Sequence, residues 1–178
     1  MKIAILAGGN RQQATSTLLA RYVKKVVEQR SYEVDLIDLH KEPLPFYSPD
    51  NGDVPPAVQR LQSTVKGADA VVLSTPEYHG SLSGVLKNAL DFLNFEHFDG
   101  KLVLVCSSAG GSVGTSSLTQ LQTIVRNLHG INSPEWISIG GQQRNFGEDG
   151  EPGTEEVKAR IQRTVDFFLA LAAKVRQH

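Results

Sequence analysis

The chain has 178 residues, 40% of them hydrophobic, with a formal net charge of −1 at pH 7 and one cysteine. That length suits one domain, residues 1–178, with a substantial core, and a lone cysteine rules out a disulfide framework. Balanced charge without a basic stripe argues against nucleic acid or an anionic membrane surface as the main partner, leaving a small ligand or a protein.

In chain order, strands are predicted at 2–7, 33–38, 69–75, 101–107 and 135–140, each a short run rich in apolar residues. The first is too short for a signal peptide and is stopped by Gly8-Gly9; with no apolar run near about 18 residues elsewhere, a cytoplasmic protein is expected. Cys106 lies inside the fourth run, where a cysteine behaves as a small buried hydrophobe. Between the strands, Leu18/Tyr22/Val26, Leu118/Leu121/Val125/Leu128 and Val157/Ile161/Val165/Phe168/Ala172 recur at the spacing of one helical face. Segments near 54–66 and 83–95 fill the two remaining helical places. The second of these carries Leu82/Leu86/Ala89/Leu93 on one face, with Phe92, Phe95 and Phe98 close by as a candidate core set.

Strict alternation of strand and helix predicts a parallel sheet covered on both faces, an α/β three-layer sandwich. Five strands and five helices match a flavodoxin-like sheet of order 2-1-3-4-5. Residues 40–56 and 140–154, rich in Pro, Gly, Asn and Asp, read as surface loops of a length often used for binding. In such a sheet, ligands bind beyond the carboxyl ends of the strands where the order reverses, so loops 8–17, 76–83 and 107–114 are expected to share one site.

The first loop ends in Thr15-Ser16-Thr17, three hydroxyls where one suffices to cap a helix. A helix N-terminus also holds anions, and Arg11 adds a charge-assisted, bidentate donor set for a phosphate. The loop has neither the Walker A lysine nor G-x-G-x-x-G, which disfavours a nucleoside triphosphate or a dinucleotide in the Rossmann manner; Asp38 is taken as structural. The third loop, Ser107 to Gly114, has glycines that let a flat ring approach the backbone. It also contains a literal G-x-S-x-G at Gly110–Gly114, so a serine hydrolase is weighed. Against it, Ser107-Ser108-Ala109 separate Ser112 from the strand, and only His129 and His178 follow. The second loop lies in STPEYHGS, Ser74 to Ser81, where Pro76 stiffens the chain and Ser81 or Ser83 can cap the next helix. Scattered histidines without H-x-x-x-H or C-x-x-C spacing argue against a metal.

Pro76-Glu77-Tyr78-His79-Gly80-Ser81 followed by Gly84-Val85-Leu86-Lys87-Asn88-Ala89-Leu90-Asp91 resembles the P-E-Y-x-x-S-x-x-G-x-L-K-N-A-x-D block of the NADPH-dependent FMN reductase family, which includes quinone, azo-dye and chromate reductases. Arg11 and its hydroxyls resemble that family's G-S-x-R-x-x-S phosphate loop, with Gly9 or Asn10 in place of the usual serine. The resemblance implies FMN as cofactor, with its phosphate at Arg11, Ser16 and Thr17 and with Gln13 or Thr15 assisting. It places Gly9 and Asn10 beside the phosphate, Pro76, Glu77, Tyr78 and His79 along the ring with backbone donors at its polar edge, and Ser107, Ser108, Gly110 and Gly111 on the other side. It further implies NADPH or NADH as co-substrate and a small acceptor: a quinone, an azo compound, free flavin or a metal oxyanion. No side chain is then needed as a catalytic acid or base, because the flavin carries the chemistry. The family resemblance also implies a homodimer or dimer of dimers, with the helix after the block at the interface. Arg144 is a candidate for the 2′-phosphate of NADPH. A flavin-binding electron carrier or regulator is the remaining alternative, although an acidic docking surface is missing.

Overall fold

The structure, a computed structural model, describes residues 1–50, 52 and 54–176. Strands β1 (Lys2–Ala7), β2 (Glu33–Asp38), β3 (Ala70–Pro76), β4 (Leu102–Ala109), β5 (Ile131–Asn132) and β6 (Ile137–Gly140) form one sheet. Its order is β2-β1-β3-β4-β5, with β6 also on β4, and every pairing is parallel. Helices are α1 (Thr15–Gln29), α2 (Pro56–Lys66), α3 (Gly84–Asp91), α4 (Phe95–Phe98), α5 (Thr115–Asn127) and α6 (Glu155–Val175).

Successive side chains of a strand point to opposite faces, and the core divides accordingly. Ile3, Ile5, Ala70, Val72, Leu102, Leu104 and Cys106 pack under α1 and α6 with Val23, Ile161 and Phe168. Leu6, Val71, Leu73, Val103 and Val105 pack on the other face under α2, α3 and α5 with Leu61, Leu86 and Leu121. Continuous apolar runs are thus explained by burial on both sides, each large side chain contributing about 1.5–3 kcal/mol. Cys106 is fully enclosed, and burial pushes its thiol pKa far up, so it is an inert packing group.

The fifth predicted strand, 135–140, is instead two segments. Along β4 the pairing advances from Val103 to Cys106, while along the partner it advances from Asn132 to Ile137, leaving two residues over. Pro134 sits in this break and has no N–H for the ladder. On α1 the buried face runs through Leu19, Tyr22, Val23 and Val26, leaving Leu18 half-buried. The helix predicted near 83–95 stops at Asp91, because the Asn94 side chain accepts from Glu96 N at 3.0 Å and opens α4. Phe98 is buried there, but Phe95 is 55% exposed, so the aromatic set is only partly core. The predicted loop 140–154 contains a 3₁₀ turn, Gly141–Arg144, and an antiparallel bridge between Phe146 and Pro152. Among the described residues, no helix is long and apolar enough to cross a membrane.

Candidate active site

Strand order reverses between β1 and β3, and the loops after β1, β3 and β4 meet there. Gly8 N donates to Ser74 O at 2.7 Å, pinning the first loop to the end of β3. Gly9 is packed so tightly that a Cβ would lie 2.6 Å from Ala14 Cβ and against Thr17 Oγ1, so a larger residue does not fit there without movement. The loop then enters α1 with Ala14 at the N-cap and no side-chain cap, and without an acid in the first turn. Ser16 and Thr17 are 1% and 4% exposed, yet Ser16 Oγ and Thr17 Oγ1 have no hydrogen-bond partner among the described residues. Buried hydroxyls left unpaired at a positive helix end fit an anion that supplies the missing acceptors.

The second loop is a tight hairpin. Tyr78 N donates to Ser81 O at 2.9 Å and Ser81 N to Tyr78 O at 3.0 Å around His79 (φ 52°) and Gly80 (φ 74°). Two positive φ values identify a type I′ turn, which glycine enters without strain and which is the reason for Gly80. Glu77 N donates to Ser108 O at 2.9 Å. The N–H groups of Glu77 and Tyr78 are therefore spent inside the protein, in contrast to the expected row of free donors at 77–79. The Glu77 carboxylate turns to α5, accepting from Ser117 N and Ser117 Oγ, both at 2.9 Å, and so caps a helix whose own N-cap is Gly114. Tyr78 Oη donates to Asn10 Oδ1 at 2.8 Å, tying the second loop to the first.

In the third loop, Ser107 is fully buried and its Oγ donates to Gly114 O at 2.5 Å, folding the loop back on itself. Ser108 is 6% exposed, whereas Gly110 and Gly111 are exposed. A cleft of about 260 Å³ joins the three loops, lined by Arg11, Ala14, Thr15, Ser16, Pro76, Glu77, Tyr78, Ser108, Gly110 and Arg144. Of the predicted site residues, Gly9, Asn10, Gln13, Thr17, His79, Ser107 and Gly111 do not line it, and Gln13 instead lines a separate cavity with Leu18, Arg21 and Phe146. Arg144 arrives from the turn after β6 and lines the same cleft as Arg11 and Ser16, on the side of Gly110. Its chemistry was legible, but its partners were not, because they lie more than a hundred residues away in sequence. Ala14 offers only a methyl and gave no signal.

Among the described residues, a hydrolase triad does not assemble. Ser112 precedes the N-terminus of α5 and His129 follows its C-terminus, about 20 Å apart for thirteen helical residues. His178, the other histidine considered, lies outside the described residues. Asp38 is held by Arg21 Nη2 at 3.0 Å and accepts from His40 N at 3.2 Å. Among the described residues, no group of three or more His, Cys, Asp or Glu gathers as a metal site.

Residues 1–144 match the model of the family described as NADPH-dependent FMN reductase. The chain is 34% identical over 155 residues to an FMN-dependent NADPH-azoreductase of Staphylococcus aureus, covering 84% of this chain and 82% of that one. It superposes on FerB, a flavoenzyme NAD(P)H:(acceptor) oxidoreductase from Paracoccus denitrificans, with a TM-score of 0.85, 27% identity and 97% of each chain covered. A flavodoxin from the domain Archaea matches over 100% of both chains with a TM-score of 0.67 at 14% identity, a likeness of fold alone. With a sheet of order 2-1-3-4-5, three converging loops and this match over most of its length, the chain belongs to the NADPH-dependent FMN reductase family, flavin-dependent NAD(P)H oxidoreductases with FMN as cofactor and NADPH as co-substrate.

Proposed function

We propose that FMN is held in the cleft at the ends of β1, β3 and β4, and that the protein reduces small oxidised acceptors at the expense of NADPH. The observation that carries this placement is the buried, unpartnered hydroxyl of Ser16 in the first turn of α1, which lines the cleft together with Arg11. Arg11, Thr15 and Ser16 would hold the phosphate. Pro76 to Tyr78 form one wall and Ser108 with Gly110 the other. Gly9, Asn10, Thr17, His79, Ser107 and Gly111 act as supports around these contacts.

Bound FMN supplies the hydride chemistry between the nicotinamide and the acceptor. The chain's own part is shape. Pro76 ends β3 and fixes the exit of the second loop, the His79-Gly80 turn closes on itself, and the Tyr78–Asn10 hydrogen bond keeps two walls at a set separation. Glu77 caps α5 through its Oε2, so its part is to fix the second loop against that helix. Walls whose one carboxylate, among the described residues, is committed to α5 accommodate flat acceptors of several kinds, so azo compounds, quinones and free flavin are the proposed classes. NADPH over NADH follows the S. aureus relative's name.

A homodimer is part of the proposal. The cleft, at about 260 Å³, is smaller than the roughly 300–1,000 Å³ usual for ligand pockets, and a second copy would enclose it further. A groove between α3 and α5, lined by Leu82, Lys87, Gln120, Thr123 and Ile124, offers an apolar surface for that copy. The proposed location is the cytoplasm, where NADPH is available. The test is steady-state kinetics with NADPH and NADH against an azo dye, a quinone and free flavin, before and after FMN is stripped. FMN-dependent dye or quinone reduction that favours NADPH is expected; equal rates without FMN would refute the assignment. Light scattering coupled to size exclusion should give twice the chain mass, and a monomer would contradict the dimer.

A further inference from the structure

Arg144 Nε is buried and has no hydrogen-bond partner among the described residues. The guanidinium borders the cleft from the side of Gly110, with Nη1 3.9 Å from where a Cβ on that glycine would stand. It shares the cleft with Arg11, Thr15 and Ser16. Among the described residues, Glu77 is the one carboxylate lining the same space; its Oε2 accepts from Ser117, a neutral partner, so its negative charge adds to the need for cations there. A buried N–H donor without an acceptor is costly, so its position calls for an acceptor from a ligand.

The turn that carries Arg144 is held in place before any ligand arrives. Arg160 Nη2 donates to Gln143 Oε1 at 2.9 Å. Gly147 N donates to Glu151 O at 2.8 Å and Gly153 N to Asn145 O at 2.9 Å, closing the segment that follows. The Glu151 carboxylate meets Lys25 of α1 at 2.5 Å and Lys158 of α6 at 2.8 Å, fastening that segment to both helices. These lysines hold Glu151 down to about 2, so the fastening persists at neutral pH. Preorganised donors lose little entropy on binding.

A phosphate monoester carries about −1.5 to −2 charge at neutral pH, more than one guanidinium neutralises. Arg11 alone leaves part of that charge unmatched. A second phosphate, such as the 2′-phosphate of NADPH, would be repelled from a cleft already holding the first. We propose that Arg144 is the second cation of the FMN phosphate site, and that it sets the preference of this protein for FMN over riboflavin. The inference rests on FMN occupying the cleft.

The test measures dissociation constants for FMN and riboflavin by quenching of flavin fluorescence, in wild type, Arg144→Gln, Arg144→Lys and Ser16→Ala. Far-ultraviolet circular dichroism and Tm establish that each variant is folded. Loss of a charge-assisted pair should weaken FMN by about 10- to 100-fold in Arg144→Gln, leave riboflavin unchanged, and be partly recovered in Arg144→Lys. The NADPH KM at saturating FMN should not move. If FMN affinity is unchanged while the NADPH-over-NADH preference collapses, Arg144 reads the dinucleotide and the inference fails. If FMN and riboflavin weaken equally, Arg144 packs against the ring and the inference also fails. Ser16→Ala separates the two levels: weaker FMN binding there with none in Arg144→Gln overturns only the role of Arg144, whereas no effect in either overturns the placement of FMN.

Discussion

Replacing Glu77 with alanine tests whether this loop acid supports the scaffold or contacts the cofactor. The change removes the acceptor of Ser117 N and Ser117 Oγ, each at 2.9 Å. Ser117 is fully buried in the first turn of α5, whose N-cap Gly114 has no side chain to substitute. The hydroxyl can fall back on Gly114 O at 3.5 Å, so one N–H is orphaned. An orphaned buried donor costs about 1–3 kcal/mol, and the lost negative charge at a helix N-terminus adds about 0.3–1 kcal/mol. The expected loss is about 2 kcal/mol for Glu77→Ala and about 1 kcal/mol for Glu77→Gln, which keeps an acceptor. For a domain of this size, Tm should fall by about 4–8 °C and about 2–4 °C respectively. Thermal unfolding of the FMN-free protein, followed by circular dichroism, gives the numbers, and FMN titration of the same samples gives the affinity. Unchanged Tm in Glu77→Ala combined with lost FMN affinity would refute the capping role and make Glu77 a ligand.

Tyr78→Phe deletes the hydrogen bond to Asn10 but keeps the wall, so kcat should fall no more than about 5-fold, since one net hydrogen bond is worth about 1 kcal/mol; turnover abolished with FMN still bound would make the phenol catalytic. Gly9→Ala drives a methyl onto Ala14 and Thr17, and overpacking of about 1–3 kcal/mol should weaken FMN binding or stability; an unaffected variant would mean that the first loop is loose. His97 provides a pH test. Burial lowers its pKa, and its Nδ1 accepts from Asn94 N at 3.2 Å in the neutral form. The unfolded imidazole takes its proton first, so stability should decline as pH falls from about 6.5 through the lowered folded value. Glu151, held down by Lys158 and Lys25 to about 2, loses its contribution only below about pH 4.5, outside that window. Urea unfolding at pH 7 and 5 should therefore show a smaller difference in His97→Gln than in wild type; an equal difference assigns the acid loss to another group.

β1, β3 and β4 were legible because parallel strands buried on both faces must be continuous apolar runs, and Ile3 to Ala7 or Ala70 to Leu73 can be little else, whereas the edge strand β2, Glu33–Asp38, shows only Val34 and Leu36 alternating with charged residues. The switch point followed from their order. The fifth strand was obscured because Ile131-Asn132 is too short to show a pattern, and the break at Pro134 is defined only by register against β4. In the site, three hydroxyls at Thr15 to Thr17 exceeded the needs of a cap, and the structure leaves two of them unpaired. The commitments of Glu77 and Tyr78 depend on Ser108, Ser81 and Ser117, contacts that side-chain type does not reveal.

The location of FMN in a crystal of the complex tests the central claim most directly. Its phosphate is expected against Ser16 and Arg11, with the ring between Pro76–Tyr78 and Ser108–Gly110. A larger cavity of about 450 Å³ lies beside Phe46, Tyr47, Val54 and Phe92, away from the unpaired hydroxyls. Electron density for FMN in that cavity, with the cleft at Ser16 empty, would contradict the account.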